Sequence, residues 1–599
     1  LGEMSIYVCD GIYIERITVS SDMENKAALL RVLVNSDGEK ECEVKLTSRV
    51  LHLKDEFYRY DADDRRLKEL AYEAPESPTT DEMMDFITET IPSMAGDFTH
   101  KASLKEGINL LDIGFMLGES PYLWSDEDPF IYEITVSLTG YDEEKIYFGF
   151  REFKAEGLHL LLNDKRIFLR GKHDGMVFPM TGFAPMNVCG WLYVMKQARD
   201  MGINHYRFHT SCPPDAAFIA ADLLGIIMEP EIPFWGTFLG KNDEGYDEVR
   251  DGQEFLTDEG FAMLSSFSGH PSFCMMSMGN ELWGNPDAID DMISDYKKAY
   301  PGILFTQSSN GFQWTPVIKP HDDFFCGVRF APDRQLRGSY AACDKPFGHV
   351  QTLLPGESYD YEKAMFPEFT GDDVKETDGD QYVEIQFGTG VKKVKKSEAS
   401  GAIIPQVPVI THEVGQYSTF PNLKERGKYT GVLKAGYLDH VEKKLKEKGL
   451  YELADKFFEC SGKLAADCYK REIESALRTD SFSGFQLLDI QDFPGQDIAL
   501  VGMLDAFMEN KGLITPREFR HFCSDACVLG VFDSYLAGES FFLTVKLFYY
   551  RKEKLCGRSV VIRVDRVDAQ GAVIQENIFK VSLNMVQKEW VLQLQHITV

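Results

Sequence analysis

The pattern of apolar and polar positions divides the chain into three parts. Up to residue 152, segments rich in β-branched residues partly alternate between apolar and polar positions, as in 12–19, 28–34 and 131–138. This alternation is typical of strands with one face on a core, so residues 1–152 are predicted to form a β-sandwich. An acidic, proline-containing stretch, 55–99, interrupts these strands and has two interpretations, a long excursion or a helical insert.

From residue 153 onward, short apolar runs are separated by helix-like segments, which predicts a parallel sheet. The helix-like segment 215–224 follows two prolines and stops at Gly225, and the segment 287–300 follows Asn285, a typical cap residue. Eight such runs predict a (β/α)8 TIM barrel, whose active site lies at the C-terminal ends of its strands. The predicted strands are 166–170, 204–208, 225–228, 273–278, 303–307, 324–328, 407–411 and 485–489.

Two features interrupt the barrel, which is assigned to residues 153–534. Residues 381–396 are predicted to form an inserted two-stranded hairpin, and residues 439–478 a long pair of helices. Beyond residue 535 the alternation returns, which predicts a C-terminal β-sandwich over 535–599. The expected fold is therefore multidomain, with a TIM barrel flanked by β-sandwiches.

Two glutamates follow two of the predicted buried strands. The run Phe273–Met278 stops at Gly279-Asn280-Glu281, and the strand 407–411 is followed closely by Glu413. Either glutamate alone would fit a helix cap or a surface salt bridge. Together, at the ends of parallel strands, they predict a pair of carboxyl groups about 5–5.5 Å apart, the arrangement of retaining glycoside hydrolysis. Burial at a strand end would raise the pKa of Glu281 towards the value that an acid catalyst needs, and Glu413 would be the ionised nucleophile.

Arg207 and Asn280 are the predicted polar partners of this pair. A cation at Arg207, near the end of the second strand, would hydrogen-bond Glu413 and keep it ionised. The alternative is a structural ion pair of Arg207 with Glu229 or Glu231, and the two roles are compatible. The amide of Asn280 is expected to hydrogen-bond a sugar hydroxyl.

Further histidines and tryptophans fall at predicted strand ends. Imidazoles there would contact sugar hydroxyls, and an aromatic face stacks well on the C–H face of a pyranose. For each side chain, ordinary packing is the alternative. These candidates are His173, His209, His412, Trp235, Trp283 and Trp314. His205 and His209 share a strand face, but no further ligand cluster is near in sequence, so neither a metal nor another cofactor is expected.

Charge and cysteine content exclude several other classes of protein. The chain has 63 Lys and Arg against 95 Asp and Glu, a net charge of −32, which disfavours nucleic acid or an anionic membrane as a partner. The sequence contains no apolar run of 18 residues, so no membrane span is predicted. The 12 cysteines include no C-x-x-C pair, which favours free thiols and a cytoplasmic location, with a periplasmic or secreted one if a signal peptide was removed. Assembly into a homo-oligomer stays open.

Several motifs together resemble glycoside hydrolase family 2, the group containing β-galactosidases, β-glucuronidases and β-mannosidases. HPSFCMMSMGNE (270–281) resembles its acid/base signature, and PVITHEVGQY (408–417) its nucleophile strand. YLWSDEDPFIYEITV (122–136) is similar to the end of its immunoglobulin-like domain, and LNDKRIFLRGKH (162–173) to its entry into the barrel. The resemblance implies Glu281 as acid/base, Glu413 as nucleophile and net retention at the anomeric carbon.

The chain also departs from this family pattern. No complete jelly-roll sugar-binding domain is evident, and 484–489 lacks the tryptophan that many members carry on strand eight. In 207–211 the histidine, His209, is displaced by one position. Glu509 stands where β-glucuronidases carry the asparagine of an Asn-x-Lys contact, and its negative charge would repel a uronate.

The function expected from the sequence is that of a retaining exo-β-glycosidase acting on terminal β-galactosides or close relatives such as α-L-arabinopyranosides. The alternatives are a β-glucuronidase or β-galacturonidase, and a catalytically inactive carbohydrate-binding protein.

Overall fold

The computed structural model describes residues 8–9, 11–60, 65–72, 80–311, 316–331, 334–338, 356–367, 382–387, 390–395, 403–494, 498–532, 542–553, 555, 558–567, 570, 573–582 and 591–598. Trp314 lies outside these residues.

Two antiparallel sheets pack face to face in the N-terminal part of the chain. Alternate residues of both sheets, such as Leu30 and Val32 in one and Val44 and Leu46 in the other, are buried in one apolar core. The first sheet contains Ile12–Asp22, Ala27–Ser36 and Gly107–Met116, and the second contains Lys40–Leu53, Thr88–Ile91, Phe98–Leu104, Ile131–Leu138 and Asp142–Phe148. The three predicted strands are confirmed.

The stretch 55–99 is a helical insert rather than an extended excursion. It contains the helices Asp55–Tyr58, Arg65–Tyr72 and Thr80–Ile87 before the chain returns to the second sheet. The buried residues Met83, Met84 and Ile87 of the last helix pack into the core of the central part of the chain. The polar stretch therefore contributes the apolar face of an amphipathic helix to that core.

The N-terminal sheets are hydrogen-bonded to the base of the central part. Arg151 donates from Nε to the carbonyl of Pro271 at 2.7 Å and from Nη2 to that of Phe273 at 3.0 Å. Trp124, fully buried, donates from its indole to the carbonyl of Asp222 at 2.8 Å. Gly149 permits this approach, because a Cβ there would lie 2.4 Å from the ring of Pro271.

Eight parallel strands make up the centre of the molecule. Six form one curled sheet, and the fourth and fifth pair with each other. Parallel bridges between Met228 and Phe273, and between Glu231 and Ser277, join the third strand region to the fourth. In chain order, these strands one to eight are Leu169–Asp174, His205–Phe208, Ile227–Glu229, Met275–Ser277, Leu304–Thr306, Phe325–Gly327, Val409–Gly415 and Phe482–Leu488.

Each predicted strand of this region overlaps an observed one, and the first requires the largest correction. Residues 165–167 pair instead with His159–Leu162 in a small antiparallel sheet that also contains Phe153–Glu156. Asn163 and Asp164 both have positive φ, 52° and 61°, which gives the tight two-residue turn of a hairpin. The parallel strand begins only at Leu169.

The helices agree closely with the prediction. Asp215–Leu224 has the predicted bounds, and Asn285 caps Pro286–Ala299 by accepting from the backbone N–H groups of Asp287 and Ala288. The predicted helical pair is Gly436–Glu447 and Ala454–Arg478, and the predicted hairpin is Tyr382–Phe387 with Gly390–Lys395. The other helices include Val188–Asp200, Tyr246–Phe267, Glu362–Met365 and Pro516–Phe519.

The C-terminal part is again antiparallel. Ala526–Val531, Phe542–Tyr549 and Val591–Thr598 form one sheet, and Ser559–Val567 pairs with Val573–Ser582. Within the described residues, no helix is both long and apolar enough to cross a bilayer.

Candidate active site

Glu281 lies four residues beyond the end of strand four, and Glu413 lies within strand seven, two residues before its end. Both have a left-handed backbone, with φ of 49° and 48°. This conformation is costly for a residue with a side chain and is found most often at functional sites. Gly279 and Gly415 flank the two turns with φ of 136° and 106°. At Gly415 a Cβ would lie 2.2 Å from the ring of Tyr469, so only glycine fits at this position.

Arg207, fully buried on strand two, connects the two strand ends. Its Nη1 lies 3.1 Å from Oε1 of Glu413, and its Nη2 donates to Oδ1 of Asn280 at 2.5 Å. Its Nε donates to Oε1 of Glu231 at 2.7 Å. The predicted contact to Glu413 and the structural ion pair therefore coexist, and of the two suggested partners it is Glu231, not Glu229, that binds Arg207.

The two glutamates have opposite pKa shifts. Burial, together with the negative charge of Glu413, raises the pKa of Glu281. Burial acts in the same direction on Glu413, but the neighbouring His412 and Arg207 hold its pKa well below its usual range. At neutral pH the site therefore favours an ionised Glu413 beside a Glu281 that retains its proton more readily.

His412 and Arg337 hold the backbone turn at Glu413. His412 is fully buried, with Nε2 3.4 Å from Oε1 of Glu413 and Nδ1 3.2 Å from Oε1 of Gln486. Arg337 donates to the carbonyl of His412 at 2.9 Å and also to that of Glu413. His412 thus contacts the carboxylate directly.

Trp235 and Trp283 stand on the Glu281 side of the site. The side chains of Trp235 and Asn310 donate hydrogen bonds to Glu281. The two indoles meet edge to face with centroids 5.6 Å apart, and Trp235 is 57% exposed. An exposed aromatic side chain beside a half-buried carboxyl group is a suitable surface for a sugar ring.

His173 and His209 pack against each other at the ends of strands one and two, with ring centroids 5.1 Å apart. Burial and the charge of Arg207 lower their pKa values to about 3 and about 4, so both rings are neutral at pH 7. Among the described residues, neither ring nitrogen of His173 has a hydrogen-bond partner, and Nδ1 of His173 lies 3.5 Å from Oδ2 of Asp489. His209 has a partner in the hydroxyl of Thr210, 3.1 Å from its Nδ1. A neutral, unsatisfied imidazole such as that of His173 can accept a hydrogen bond from a hydroxyl or donate one to it.

The contacts described above bring the nine candidate residues into one region: Glu281, Glu413, Asn280, Arg207, His209, His173, His412, Trp283 and Trp235. His205 lies deeper, with Nε2 3.2 Å from Glu229 and 2.9 Å from the amide of Gln486. No group of three or more His, Cys, Asp or Glu in the described part of the chain could hold a metal ion.

Sequence reasoning missed Asn310, Arg337 and Asp489. Asn310 follows strand five with a φ of 61°, and its polar run 307–310 at a strand end was a usable signal. Asp489 directly follows strand eight, so its position at a strand end was also a usable signal. Arg337 lies in an irregular segment, so its pattern gave no signal.

Comparisons with known proteins show which family parts of this chain resemble. The model of glycosyl hydrolases family 2 matches residues 12–151, which are the two N-terminal sheets. A protein named as a β-glucuronidase from Formosa agariphila is 28% identical over 234 residues, 35% of this chain. A β-galactosidase from Priestia megaterium is 26% identical over 231 residues, 34% of this chain. The family model and these two relatives support glycoside hydrolase family 2 as the family that this chain resembles.

The chain spans about a quarter of the length of these curated relatives, since the matched segments cover 27% and 22% of them. Solved structures extend the likeness in fold. A β-D-mannosidase from Dictyoglomus thermophilum matches with a TM-score of 0.57 at 12% identity, over 99% of this chain and 63% of its own. A family 2 β-galacturonidase from Eisenbergiella tayi matches with a TM-score of 0.51 at 12% identity, over 86% of this chain and 73% of its own.

Proposed function

We propose that this chain is a retaining β-glycosidase of family 2 that removes a terminal β-galactoside-like sugar from an oligosaccharide or glycan. The observation that carries the proposal is the pair of strand-end glutamates with opposite pKa shifts, Glu281 raised and Glu413 lowered. Retaining hydrolysis requires one carboxyl group as acid and one as nucleophile, and pKa values shifted in opposite directions suit these two roles. The proposal includes the architecture expected from the sequence, which is a closed (β/α)8 barrel over 153–534 between β-sandwiches at 1–152 and 535–599.

In the first step, Glu281 gives its proton to the glycosidic oxygen while the bond from that oxygen to the anomeric carbon breaks. A carboxylate oxygen of Glu413 forms the new bond to the same carbon. In the second step, the Glu281 carboxylate takes a proton from water, whose oxygen attacks the anomeric carbon and releases Glu413. Glu281 is then protonated again and Glu413 ionised, so the cycle closes with the anomeric configuration retained.

Asn280 and Arg207 support these roles. Arg207 binds both Glu413 and the Oδ1 of Asn280, which fixes the amide and leaves its N–H groups as donors for a sugar hydroxyl. The unsatisfied imidazole of His173 and the ring of His209 would bind further hydroxyls, and Trp235 and Trp283 would offer aromatic surface.

A uronidase is less well supported by the charges near strand eight. Lys511 is buried and paired with Asp492 at 2.6 Å, so a uronate would have to displace an existing carboxylate. Although burial opposes it, Lys428 and Lys68 lower the pKa of Glu509, which keeps this side chain negative. Like-charge repulsion there disfavours an anionic sugar.

A panel of nitrophenyl glycosides tests the proposal. We expect hydrolysis of a β-galactoside or α-L-arabinopyranoside with initial release of the retained anomer, measured by NMR, and no hydrolysis of a β-glucuronide. The Glu413→Gln variant should lose turnover by roughly 10³-fold or more. Glu447→Gln, the same change on the helix Gly436–Glu447, is the control and should keep full activity. Sugar binding without turnover by the unaltered chain would instead indicate a carbohydrate-binding protein.

A further inference from the structure

A cavity of about 530 Å³ lies beside the ends of strands one and eight. This volume is within the range of small-molecule sites, about 300–1,000 Å³. None of the nine candidate site residues lines it. Its walls are largely apolar and aromatic, and they include Phe178, Met180, Tyr193, Phe507 and Met508.

A buried lysine links this cavity to the candidate active site. Nζ of Lys172 lies 3.1 Å from Oδ2 of Asp174 and 3.0 Å from Oε1 of Gln491, and both of these residues line the cavity. The same Nζ is 3.5 Å from Oδ1 of Asp489, whose Oδ2 is 3.5 Å from His173. One buried polar cluster therefore borders the cavity on one side and the candidate sugar site on the other.

The charges around the cavity select a neutral ligand. Glu509 pairs with Lys68 at 2.5 Å and with Lys428 at 2.7 Å, and Lys428 also pairs with Asp505. Asp174 pairs with Lys172. No lining charge is thus left to attract an ion. Gln491 uses its Oε1 for Lys172, which leaves its amide N–H groups as donors, and Thr181 and Thr430 add hydroxyls to the lining. Aromatic walls combined with uncharged donors and hydroxyls suit a sugar ring.

The strand order tells on which side of the cleaved bond this ring would lie. Glu281 follows strand four, which strands two and three separate from strand one, and the cavity lies at strands one and eight. The leaving group must be next to the acid that protonates it. The cavity is therefore on the opposite side of the reacting sugar from its leaving group.

We propose that this cavity binds a second neutral sugar unit that is attached to the sugar being cleaved, on the side away from the leaving group. The proposal rests on the proposed glycosidase function and broadens it: besides a single terminal sugar, the chain accepts a reacting sugar that carries a further unit, and the two are then released together as a disaccharide.

Substrate length tests this assignment. The two probes are p-nitrophenyl β-galactoside and the p-nitrophenyl β-galactobiosides with a second galactose linked 1→3, 1→4 or 1→6, each followed by release of nitrophenol with the disaccharide intact. We expect at least one galactobioside to have the higher kcat/KM. The Phe507→Ala variant should lower that value about tenfold and leave the monosaccharide value unchanged, and Phe507→Tyr should restore it. Phe255→Ala, an exposed aromatic change on the helix Tyr246–Phe267, should alter neither value.

Equal losses on both probes, or no loss on the galactobiosides, would overturn the assignment. A loss seen only when the second sugar is part of the leaving group would also overturn it. Calorimetric titration of the same galactobiosides into the Glu413→Gln chain separates this proposal from the proposed function, because it needs no turnover. Binding that Phe507→Ala weakens about tenfold supports the cavity even if no glycoside is hydrolysed, and binding that this change leaves unaltered contradicts it.

Discussion

Glu281 and Glu413 share their backbone geometry and differ in their electrostatic surroundings. Both lie near the C-terminal end of a buried parallel strand and have a left-handed φ near 50°. Glu281 faces the amide of Asn310 and the indole of Trp235, whereas Glu413 faces the guanidinium of Arg207 and the imidazole of His412. The backbone thus gives each strand end a carboxyl group, and the neighbouring side chains shift the pKa values of the two groups in opposite directions.

Replacing each glutamate by glutamine should separate these roles most strongly. Glu413→Gln removes the bond-forming oxygen, so the loss of roughly 10³-fold or more should be the same for every leaving group. Glu281→Gln removes the acid, so the loss should be about 10²- to 10⁴-fold for alkyl and sugar leaving groups and much smaller for dinitrophenol, which needs no proton. Plots of kcat/KM against leaving-group pKa measure this, and identical slopes for the two variants would contradict the assignment.

Arg207→Gln should have the next largest effect, because the change leaves Glu231 buried without its cation. We expect a loss of about 3–5 kcal/mol in the free energy of unfolding, measured by urea denaturation. Activity should also fall, since the pKa of Glu413 rises when Arg207 is removed. The control is Arg250→Gln, whose exposed ion pair with Asp247 should contribute less than about 1 kcal/mol. A stable Arg207→Gln variant with an unchanged pH profile would argue against this role.

The pH dependence of kcat/KM should show both glutamates. Activity needs an ionised Glu413, so it should fall tenfold per pH unit only below the lowered pKa of this group. It also needs a protonated Glu281, so it should fall as the pH rises through the raised pKa of that group. In Arg207→Gln, the acid limb should move to higher pH while the alkaline limb keeps its place. Movement of the alkaline limb alone would reverse the assignment of acid and nucleophile.

Trp235→Ala should have the smallest effect. The indole is 57% exposed, so its removal should leave the melting temperature within about 1 °C of the original value. It donates to Glu281, and its loss should raise the pKa of that group slightly and increase KM by a few-fold through lost sugar contact. Steady-state kinetics over pH measure both changes. A large fall in kcat with no change in KM would show that the indole does more than hold the sugar.

The sequence was sufficient to predict the eight parallel strands, because buried strands have a strong local signal of apolar runs between capped helices. It was also sufficient to place Glu281 and Glu413 near the C-terminal ends of two of these strands. It could not show that Arg207 divides its donors among Glu231, Glu413 and Asn280, because these groups meet only after folding. For the same reason the contact of Lys172 with Gln491, 319 positions away, was beyond prediction.

The hydrogen bonds of Arg151 have a consequence for how the molecule can be divided. Arg151 follows the last N-terminal strand, and its side chain binds the carbonyl groups of Pro271 and Phe273, at the start of the segment that leads to Glu281. A shortened chain starting at residue 153 would leave those carbonyls without their donor. It would also expose the carbonyl of Asp222, to which the indole of Trp124 donates. The N-terminal sheets therefore support the segment that leads to Glu281, and any transfer of the central part of the chain to another protein should include them.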